Sequence, residues 1–471
     1  MYSFFISIVA LVLGYFIYGK ITERVFGIDN NRKTPAIANP DGVDYVAMPW
    51  WRVFLIQFLN IAGLGPIFGA IMGVMFGSAS FLWIVFGTIF AGGVHDYLSG
   101  MMSIRTNGAS QSELVGMHLG NGVKQFMRGF SLILMILVGA VFVSGPAGLL
   151  AKMTPDTITV TSWAVIVFVY YILATLLPID KIIGKIYPVF GFALLFMAVG
   201  IMTAMIVNKA PIPEFTDGFA NLHPKQLPIF PIMFVSIACG AISGFHATQS
   251  PLMARCIENE QLGRRVFYGS MVAEGIVALI WAAAASSFYG SIQGLQDHVA
   301  SLGNINAPAQ IVDQISKSWL GPVGGVLALL GVIAAPLTSG DTALRSARLI
   351  AADFLKFDQK PMSKRLIISI PLFVLTFLIL QVDFNILWRY FAWCNQTLAV
   401  FTLWAITIYL TKEKRFYGIA LVPAMFMTAV SVSYILISPE GFGLSQTISI
   451  VSGVVVSLAC FGLFVFKTKK N

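Results

Sequence analysis

The stretch WWRVFLIQFLNIAGLGPIFGAIMGVMF, residues 50–76, decides the fold that the sequence predicts. It is long and apolar enough to cross a bilayer, but its middle carries Gly63, Gly65 and Pro66. Proline cannot donate a helical hydrogen bond and glycine weakens a helix, so backbone groups here need other partners or a polar cavity. The stretch therefore predicts either two half-helices around a site near the midplane, or a kinked helix whose glycines allow close packing.

The composition identifies an integral membrane protein. Of the 471 residues, 57% are hydrophobic and 11% are charged, whereas soluble proteins carry about 25% charged residues. The apolar segments are about 20 residues long, which predicts transmembrane helices and an all-α protein. The basic residues behind the net charge of +9 lie in short loops, so membrane orientation explains them and nucleic-acid binding is not expected.

Segment lengths predict about 13 transmembrane helices in a defined order. The predicted units are one extra N-terminal helix at 1–19, a cytoplasmic loop at 20–49, a first five-helix repeat at 50–208, a second at 228–410, and two C-terminal helices at 416–467. With the N-terminus outside and the C-terminus cytoplasmic, all but five of the 30 basic residues fall on the cytoplasmic side, as the positive-inside rule requires.

A second interrupted helix supports the repeat. Residues 228–251, PIFPIMFVSIACGAISGFHATQSP, are apolar but contain Gly240, Ser243, Gly244 and His246 in their middle. This segment begins five spans after residues 50–76 and enters from the opposite side of the membrane. Two five-helix units of opposite orientation, each opening with a broken helix, are typical of inverted-repeat transporters, which favours the site over the kink.

A third stretch, Ala335 to Asp341 within the span 319–352, is predicted to be irregular. It places Thr338, Ser339 and Asp341 beside Pro336. Such a polar cluster is costly in a membrane unless it binds something or faces water. The alternative is that the hydroxyls bond to carbonyls of their own helix.

The runs NIAGLGPIFGA (60–70), TIFAGGVHDYLSGMMSIRTNGAS (88–110) and APLTSGDTALRSARLIAADF (335–354) resemble the carbon starvation protein A (CstA) family. The resemblance extends over the whole chain. It implies a multi-pass protein of the bacterial or archaeal cytoplasmic membrane that transports peptides, with pyruvate as the substrate of some members.

A wider resemblance is to the sodium symporters of the amino acid–polyamine–organocation superfamily. Their first core helix commonly carries an unwound Asn-x-x-Gly-x-Gly, which here is Asn60 to Gly65. The resemblance implies a possible sodium site, and hard cations prefer oxygen ligands. Its ligands would be the carbonyls of Leu59, Ala62 and Ala335 and the hydroxyls of Thr338 and Ser339.

The two breaks are predicted to bind the substrate between them. A carboxylated solute can lie at the positive N-terminal end of a half-helix, where free amides point at it. The residues predicted for this role are Gly63, Gly65, Pro66, Gly240, Ser243, Gly244 and His246.

Ionisable residues inside the predicted spans suggest proton coupling. His95 and Asp96 lie in the span 79–103, and Glu274 lies in the span 266–290. Such groups are costly in a membrane and often form a proton relay, although a buried structural pair would also account for them.

The sequence therefore predicts a secondary transporter that imports small carboxylated nutrients, in the first place peptides, by alternating access. Pyruvate or an amino acid is the alternative substrate, and sodium or protons could be the coupling ion. No other cofactor is expected. No nucleophile or metal-ligand constellation suggests an enzyme. A membrane nutrient sensor with a transporter-like fold is the alternative of another class.

Overall fold

The computed structural model describes residues 1–42, 44–154, 157–176, 179–303, 307–357 and 361–470. These residues form helices, turns and loops, and no strand occurs in the described ranges. The first half comprises α1 (Tyr2–Phe26), α2 (Trp50–Ile61), α3 (Gly65–Phe76), α4 (Ala79–Arg105), α5 (Gln111–Leu119), α6 (Asn121–Met153), α7 (Val160–Leu176) and α8 (Ile179–Val207). The second half comprises α9 (the short helical turns of 229–241), α10 (Gly244–Ala254), α11 (Glu260–Phe288), α12 (Ile292–Ser301), α13 (Ala307–Leu327), α14 (Leu330–Leu355), α15 (Met362–Ile379), α16 (Phe384–Lys412), α17 (Gly418–Ile437) and α18 (Gln446–Lys470).

The architecture confirms an all-α membrane protein. Within the described ranges, nine helices are long and apolar enough to cross a bilayer, or eleven if each of two bent pairs is one span. Neither number includes residues 229–254, whose helical pieces are short. The predicted total of about 13 spans and the inverted repeat therefore remain predictions.

The first break lies where the sequence places it. Helix α2 ends at Ile61, and α3 resumes at Gly65 at an angle of 53°. Pro66 explains the end of α2, because it has no N–H for the carbonyl of Ala62 and its ring would clash with that carbonyl. In the first turn of α3 the same proline is well tolerated.

The second break is narrower than the sequence suggested. Ile242 and Ser243 alone adopt extended conformations, with φ −160° and −145°. Gly240 belongs to the last turn of α9, and Gly244 and His246 belong to the first turn of α10. The β-branched Ile242 is well suited to an extended backbone.

The prediction for residues 335–341 is wrong in one respect. These residues are regular helix within Ala334–Leu355, and the bend lies earlier, where α13 and α14 meet at 58°. Pro336 closely follows the wider π-helical turn Leu329–Ile333, where the helix is already irregular and the loss of a backbone donor disturbs it less. The span predicted at 319–352 is therefore two helices, and the first of them begins at Ala307.

The two broken pairs lie against each other in the centre of the molecule. The start of α3 contacts the end of α9, and α10 packs on α2, α4 and α16. Helices α4 and α11 flank this crossing and are mostly buried, whereas α1 and α18 expose much of their apolar surface. Apolar surface at the periphery is what a lipid-facing helix requires.

Candidate functional site

The two breaks meet in direct contact. A Cβ atom on Gly65 would lie 2.3 Å from Cys239 Cβ, and one on Gly240 would lie 2.6 Å from Ala278 Cβ and 3.7 Å from Pro66 Cα. Gly65, Pro66 and Gly240, which the sequence assigns to the substrate, thus form a tight helix crossing in this conformation. Small residues are needed here because the backbones approach closely.

The backbone groups freed by the second break are held by α16. The Asn395 Oδ1 atom accepts a hydrogen bond from the Phe245 amide at 2.7 Å, and Gln396 Nε2 donates to the Ile242 carbonyl at 2.9 Å. The Phe245 amide, which borders the second break, is therefore already capped. The sequence did not predict these two contacts, although an Asn-Gln pair inside an apolar span indicates that polar groups need partners there.

Four ionisable side chains form a continuous buried chain beside the crossing. Both His95 Nδ1 and His246 Nδ1 contact the Asp96 carboxyl group, at 2.7 and 2.9 Å. On its other side, His246 Nε2 lies 3.4 Å from Glu274 Oε2. All four side chains have no exposed surface. The structure thus unites His95, Asp96 and Glu274 with His246, which the sequence assigns to the substrate.

The chain suits proton storage and transfer. Among the described residues, neither Glu274 oxygen has a hydrogen-bond partner, and the same holds for His95 Nε2. Buried charge without a partner is costly, so a proton on Glu274 or His246 lowers that cost. His246 contacts Asp96 through Nδ1, whereas its Nε2 atom lies 3.4 Å from Glu274 Oε2 without a hydrogen bond, so transfer to Glu274 requires the two side chains to move closer. Within the described ranges, no group of three or more His, Cys, Asp or Glu residues is arranged to hold a metal ion.

The oxygen cluster predicted for sodium is partly assembled. Ser339 Oγ lies 3.2 Å from the Leu59 carbonyl, 3.0 Å from the Asn60 carbonyl and 3.1 Å from the Ala335 carbonyl. The Thr338 hydroxyl donates to the Ala335 carbonyl at 2.7 Å. A Cβ atom on Gly63 would lie 3.3 Å from Ser339 Oγ, so the first break borders this cluster. The hydrogen bonds of Thr338 and Ser339 in the described structure do not involve Ala62.

A large cavity opens toward the predicted outer side, and we call it the vestibule. It has a volume of about 560 Å³ and lies between α3, α9 and the start of α16. Its lining includes the aromatic side chains Phe68 and Trp388, whose rings are 5.8 Å apart. Near the C-terminal ends of α10 and α14, which are predicted to be cytoplasmic, a cavity of only about 30 Å³ is present.

Comparisons with known proteins agree with this architecture. The family model described as "Carbon starvation protein CstA" matches residues 1–161 and 145–319. A Haemophilus influenzae relative named "Uncharacterized membrane protein" is 43% identical over 67% of this chain and 99% of its own length. The "Peptide transporter CstA" of Bacillus subtilis is 25% identical over 98% of this chain and 96% of its own length.

Two further proteins extend the comparison. The "Pyruvate/proton symporter BtsT" of Escherichia coli is 27% identical over 56% of this chain and 46% of its own length. The crystal structure of a manganese transporter from Eremococcus coleocola matches with a TM-score of 0.52 at 14% identity. That match covers 91% of this chain and 98% of the other, and it shows a common fold alone.

Proposed function

The chain belongs to the carbon starvation protein CstA family, and from this membership we propose that it imports small carboxylated nutrients, short peptides in the first place, by proton-coupled alternating access. That it is a multi-pass membrane transporter and not an enzyme follows from its named relatives and its apolar helices. The substrate, the coupling ion and the direction of transport are the proposed part.

One observation carries the proposal of proton coupling: the buried chain from His95 through Asp96 and His246 to Glu274. His246 lies in the first turn after the second break, so a shift of α10 relative to α4 or α11 would change its contacts with the two carboxyl groups. If a proton binds before this shift of α10 and leaves after it, the proton gradient drives the shift.

Peptides are proposed as substrates because relatives that match most of this chain are named peptide transporters. Pyruvate is the alternative, since a relative that matches about half of the chain is named a pyruvate/proton symporter. Both substrates carry a carboxylate. Entry between the breaks requires Gly65 and Cys239 to separate, so binding and the opening of the crossing are linked.

Sodium coupling is the second candidate, and the oxygen cluster at Ser339 supports it. The Ser339 hydroxyl lies within hydrogen-bond distance of three carbonyls, and the Thr338 hydroxyl lies within hydrogen-bond distance of one of them, that of Ala335. Oxygen is the ligand type that a hard cation prefers. In the described conformation both hydroxyls donate to carbonyls, and sodium would have to replace those hydrogen bonds.

Uptake into proteoliposomes distinguishes the two coupling ions. Labelled dialanine and labelled pyruvate are each supplied with a proton gradient, with a sodium gradient and with neither. We expect proton-driven uptake that Glu274→Gln reduces at least tenfold, whereas Glu274→Gln still exchanges labelled for unlabelled substrate. The exposed-helix variant Asp297→Asn is the matched carboxyl-to-amide control and should leave uptake unchanged.

The alternative outcomes are equally informative. Sodium-driven uptake that disappears in the double variant Thr338→Ala/Ser339→Ala would overturn proton coupling in favour of the oxygen cluster. Saturable binding of substrate without turnover under any gradient would overturn transport of these solutes and favour a sensor.

The N-terminus is proposed to lie outside and the C-terminus in the cytoplasm of a bacterial or archaeal cell. The positive-inside pattern supports this orientation. The test adds an impermeant antibody to intact spheroplasts that carry a tag at either terminus. We expect the antibody to bind the N-terminal tag and not the C-terminal tag.

A further inference from the structure

The vestibule carries charges of both signs, and neither the fold nor the relatives explain them. Lys225 and Arg389 line it, and Asp383 lines the same cavity. All three side chains are exposed. His223 also lines the cavity but adds no third cation, because burial and the nearby Lys225 lower the pKa of its ring. Two cations and one carboxylate in one cavity suit a solute that carries both charges.

We propose that the vestibule is a substrate site of its own, which selects zwitterions of amino-acid to dipeptide size before they reach the two breaks. The substrate carboxylate is held by Lys225 and Arg389, and the substrate ammonium is held by Asp383. This inference rests on the proposed function in so far as it names the class of the transported substrate. A simple anion such as pyruvate engages only the cationic part of the site.

Arg389 is held in place for such a role. Its Nε atom lies 2.5 Å from Glu440 Oε1, and Glu440 also accepts a hydrogen bond from the Ser438 hydroxyl at 2.6 Å. Glu440 does not line the vestibule. A guanidinium group has five N–H donors, and the contact with Glu440 uses the Nε edge. The side chain remains 44% exposed, so its terminal amino groups can still bind a carboxylate in the cavity.

Asp383 is fixed by the helix that it precedes. It stands directly before α16, and its Oδ1 atom accepts a hydrogen bond from the Ile386 amide at 3.4 Å. Arg389 lies on the same helix, so the two charges keep a set relation to each other. The substitution Asp383→Asn removes the charge but keeps a good helix-capping side chain, which makes it a clean test.

The apolar lining of the vestibule suits the remainder of a short peptide. Trp388 stacks on Phe384 with ring centroids 5.9 Å apart, and its other neighbour Phe68 lies one turn after Gly65 in α3. These rings line the same cavity as the vestibule charges. A volume of about 560 Å³ is within the usual range of small-molecule sites, about 300–1,000 Å³.

The test compares ligands that differ by one charge. Equilibrium binding of labelled dialanine to the purified protein is displaced by unlabelled dialanine, by N-acetyl-dialanine, which lacks the ammonium, and by pyruvate. We expect dialanine to compete at least tenfold better than N-acetyl-dialanine in the wild type. In Asp383→Asn this preference should disappear, whereas the affinity for pyruvate should stay unchanged.

The cationic side is tested in parallel. We expect Lys225→Gln to weaken the binding of all three competitors. The paired variant Arg389→Gln/Glu440→Gln, which leaves no carboxylate without its cation, should have the same effect. Lys209→Gln changes an exposed lysine of the same loop that does not line the vestibule, and it should bind as the wild type does. In uptake, Asp383→Asn should raise KM for the dipeptide and leave kcat unchanged.

Several results would overturn the proposal. One is an unchanged preference for dialanine over N-acetyl-dialanine in Asp383→Asn. Another is an equal loss of affinity for pyruvate and dialanine in that same variant. The third is no measurable binding of dialanine to the wild type. Failure of the proposed function is recognised separately. It would appear as uptake that is independent of the proton gradient or driven by sodium, while the preference for the zwitterion in binding persists.

Discussion

At the scale of single residues, Asp96 is the centre of the buried chain, because its two carboxyl oxygens each contact a different imidazole. An asparagine at this position offers one acceptor oxygen and one NH2 donor and carries no charge, so Asp96→Asn cannot accept from both imidazoles or balance a protonated histidine. We expect proton-driven uptake to fall at least tenfold and the proton influx that accompanies substrate to vanish, measured with a pH dye inside proteoliposomes.

The control for this prediction lies one turn further along the same helix. Ser99 donates to the Asp96 carbonyl at 3.2 Å and is buried, so Ser99→Ala perturbs the same region without removing a charge. A comparable loss of proton influx in Ser99→Ala and Asp96→Asn would mean that packing, and not the carboxyl group, is responsible.

Gly65 is a second residue whose role can be measured directly. A methyl group there would overlap Cys239, and overpacking of this kind typically costs about 1–3 kcal/mol. We expect Gly65→Ala to insert into the membrane, to lower the thermal melting temperature and to lose most uptake.

The rescue variant decides whether the crossing is the cause. Cys239→Gly removes both overlapping atoms and leaves the new methyl group 3.7 Å from the Cα atom of residue 239. The double variant Gly65→Ala/Cys239→Gly should therefore recover stability and uptake. If it stays as impaired as Gly65→Ala, the small size of Gly65 serves something other than this contact.

At the scale of elements, α16 holds the second break open by replacing lost helical hydrogen bonds. Removal of one partner from a buried donor costs about 1–3 kcal/mol. Asn395→Ala leaves the Phe245 amide without its acceptor, so we expect a lower melting temperature and lower uptake. Thr397→Ala, two residues further along α16, removes a partly buried hydroxyl that contacts α17. We expect this variant to lower the melting temperature less than Asn395→Ala does.

The end of α4 and the start of α11 are joined by a partly buried ion pair. Arg105 contacts both Glu260 oxygens at 3.3 and 3.2 Å, and its guanidinium lies 3.9 Å from the ring centroid of Phe26 in α1. The Asp29 amide also donates to Glu260 at 2.8 Å, which ties the loop after α1 to the same carboxylate.

Loss of that carboxylate should be costly. Glu260→Gln leaves Arg105 without a matching charge, and because Arg105 is only partly buried we expect a cost below the ~3–5 kcal/mol that breaking a fully buried pair carries. We expect a clear fall in melting temperature in detergent, and Arg105→Gln/Glu260→Gln should recover part of it. Equal melting temperatures for wild type and Glu260→Gln would show that the pair is not a stabilising contact.

How far the sequence predicts these elements depends on the kind of information that each one needs. The first break was predictable because Pro66 acts locally, on a carbonyl four residues earlier. The second was placed only approximately, since Ile242 and Ser243 carry no local signal and their extended backbone depends on Asn395 and Gln396, about 150 residues away. The chain of His95, Asp96, His246 and Glu274 was predicted as separate candidates, and their contact across three helices required the structure.

At the scale of the whole molecule, the two sides of the central crossing are unequal. The cavity of about 560 Å³ on the predicted outer side contrasts with the cavity of about 30 Å³ lined by α10 and α14 residues. Between them lie the tight contact of Gly65 with Cys239 and the four buried ionisable groups. Under the alternating access that we propose, this arrangement is the state open to the predicted outer side.

The unequal openings predict a directional pattern of chemical labelling. Ser236 lines the vestibule and Ser346 lines the small cavity, so each can be replaced by cysteine in a Cys460→Ala background, in which the other native cysteines are buried. Without substrate, an impermeant maleimide added from outside should label Ser236→Cys, and one added from inside should label Ser346→Cys slowly. Substrate together with a proton gradient should slow the first reaction and speed the second, because the closed side must open for release. If substrate changes neither rate, the two cavities are fixed features of the fold and not successive states of one transport cycle.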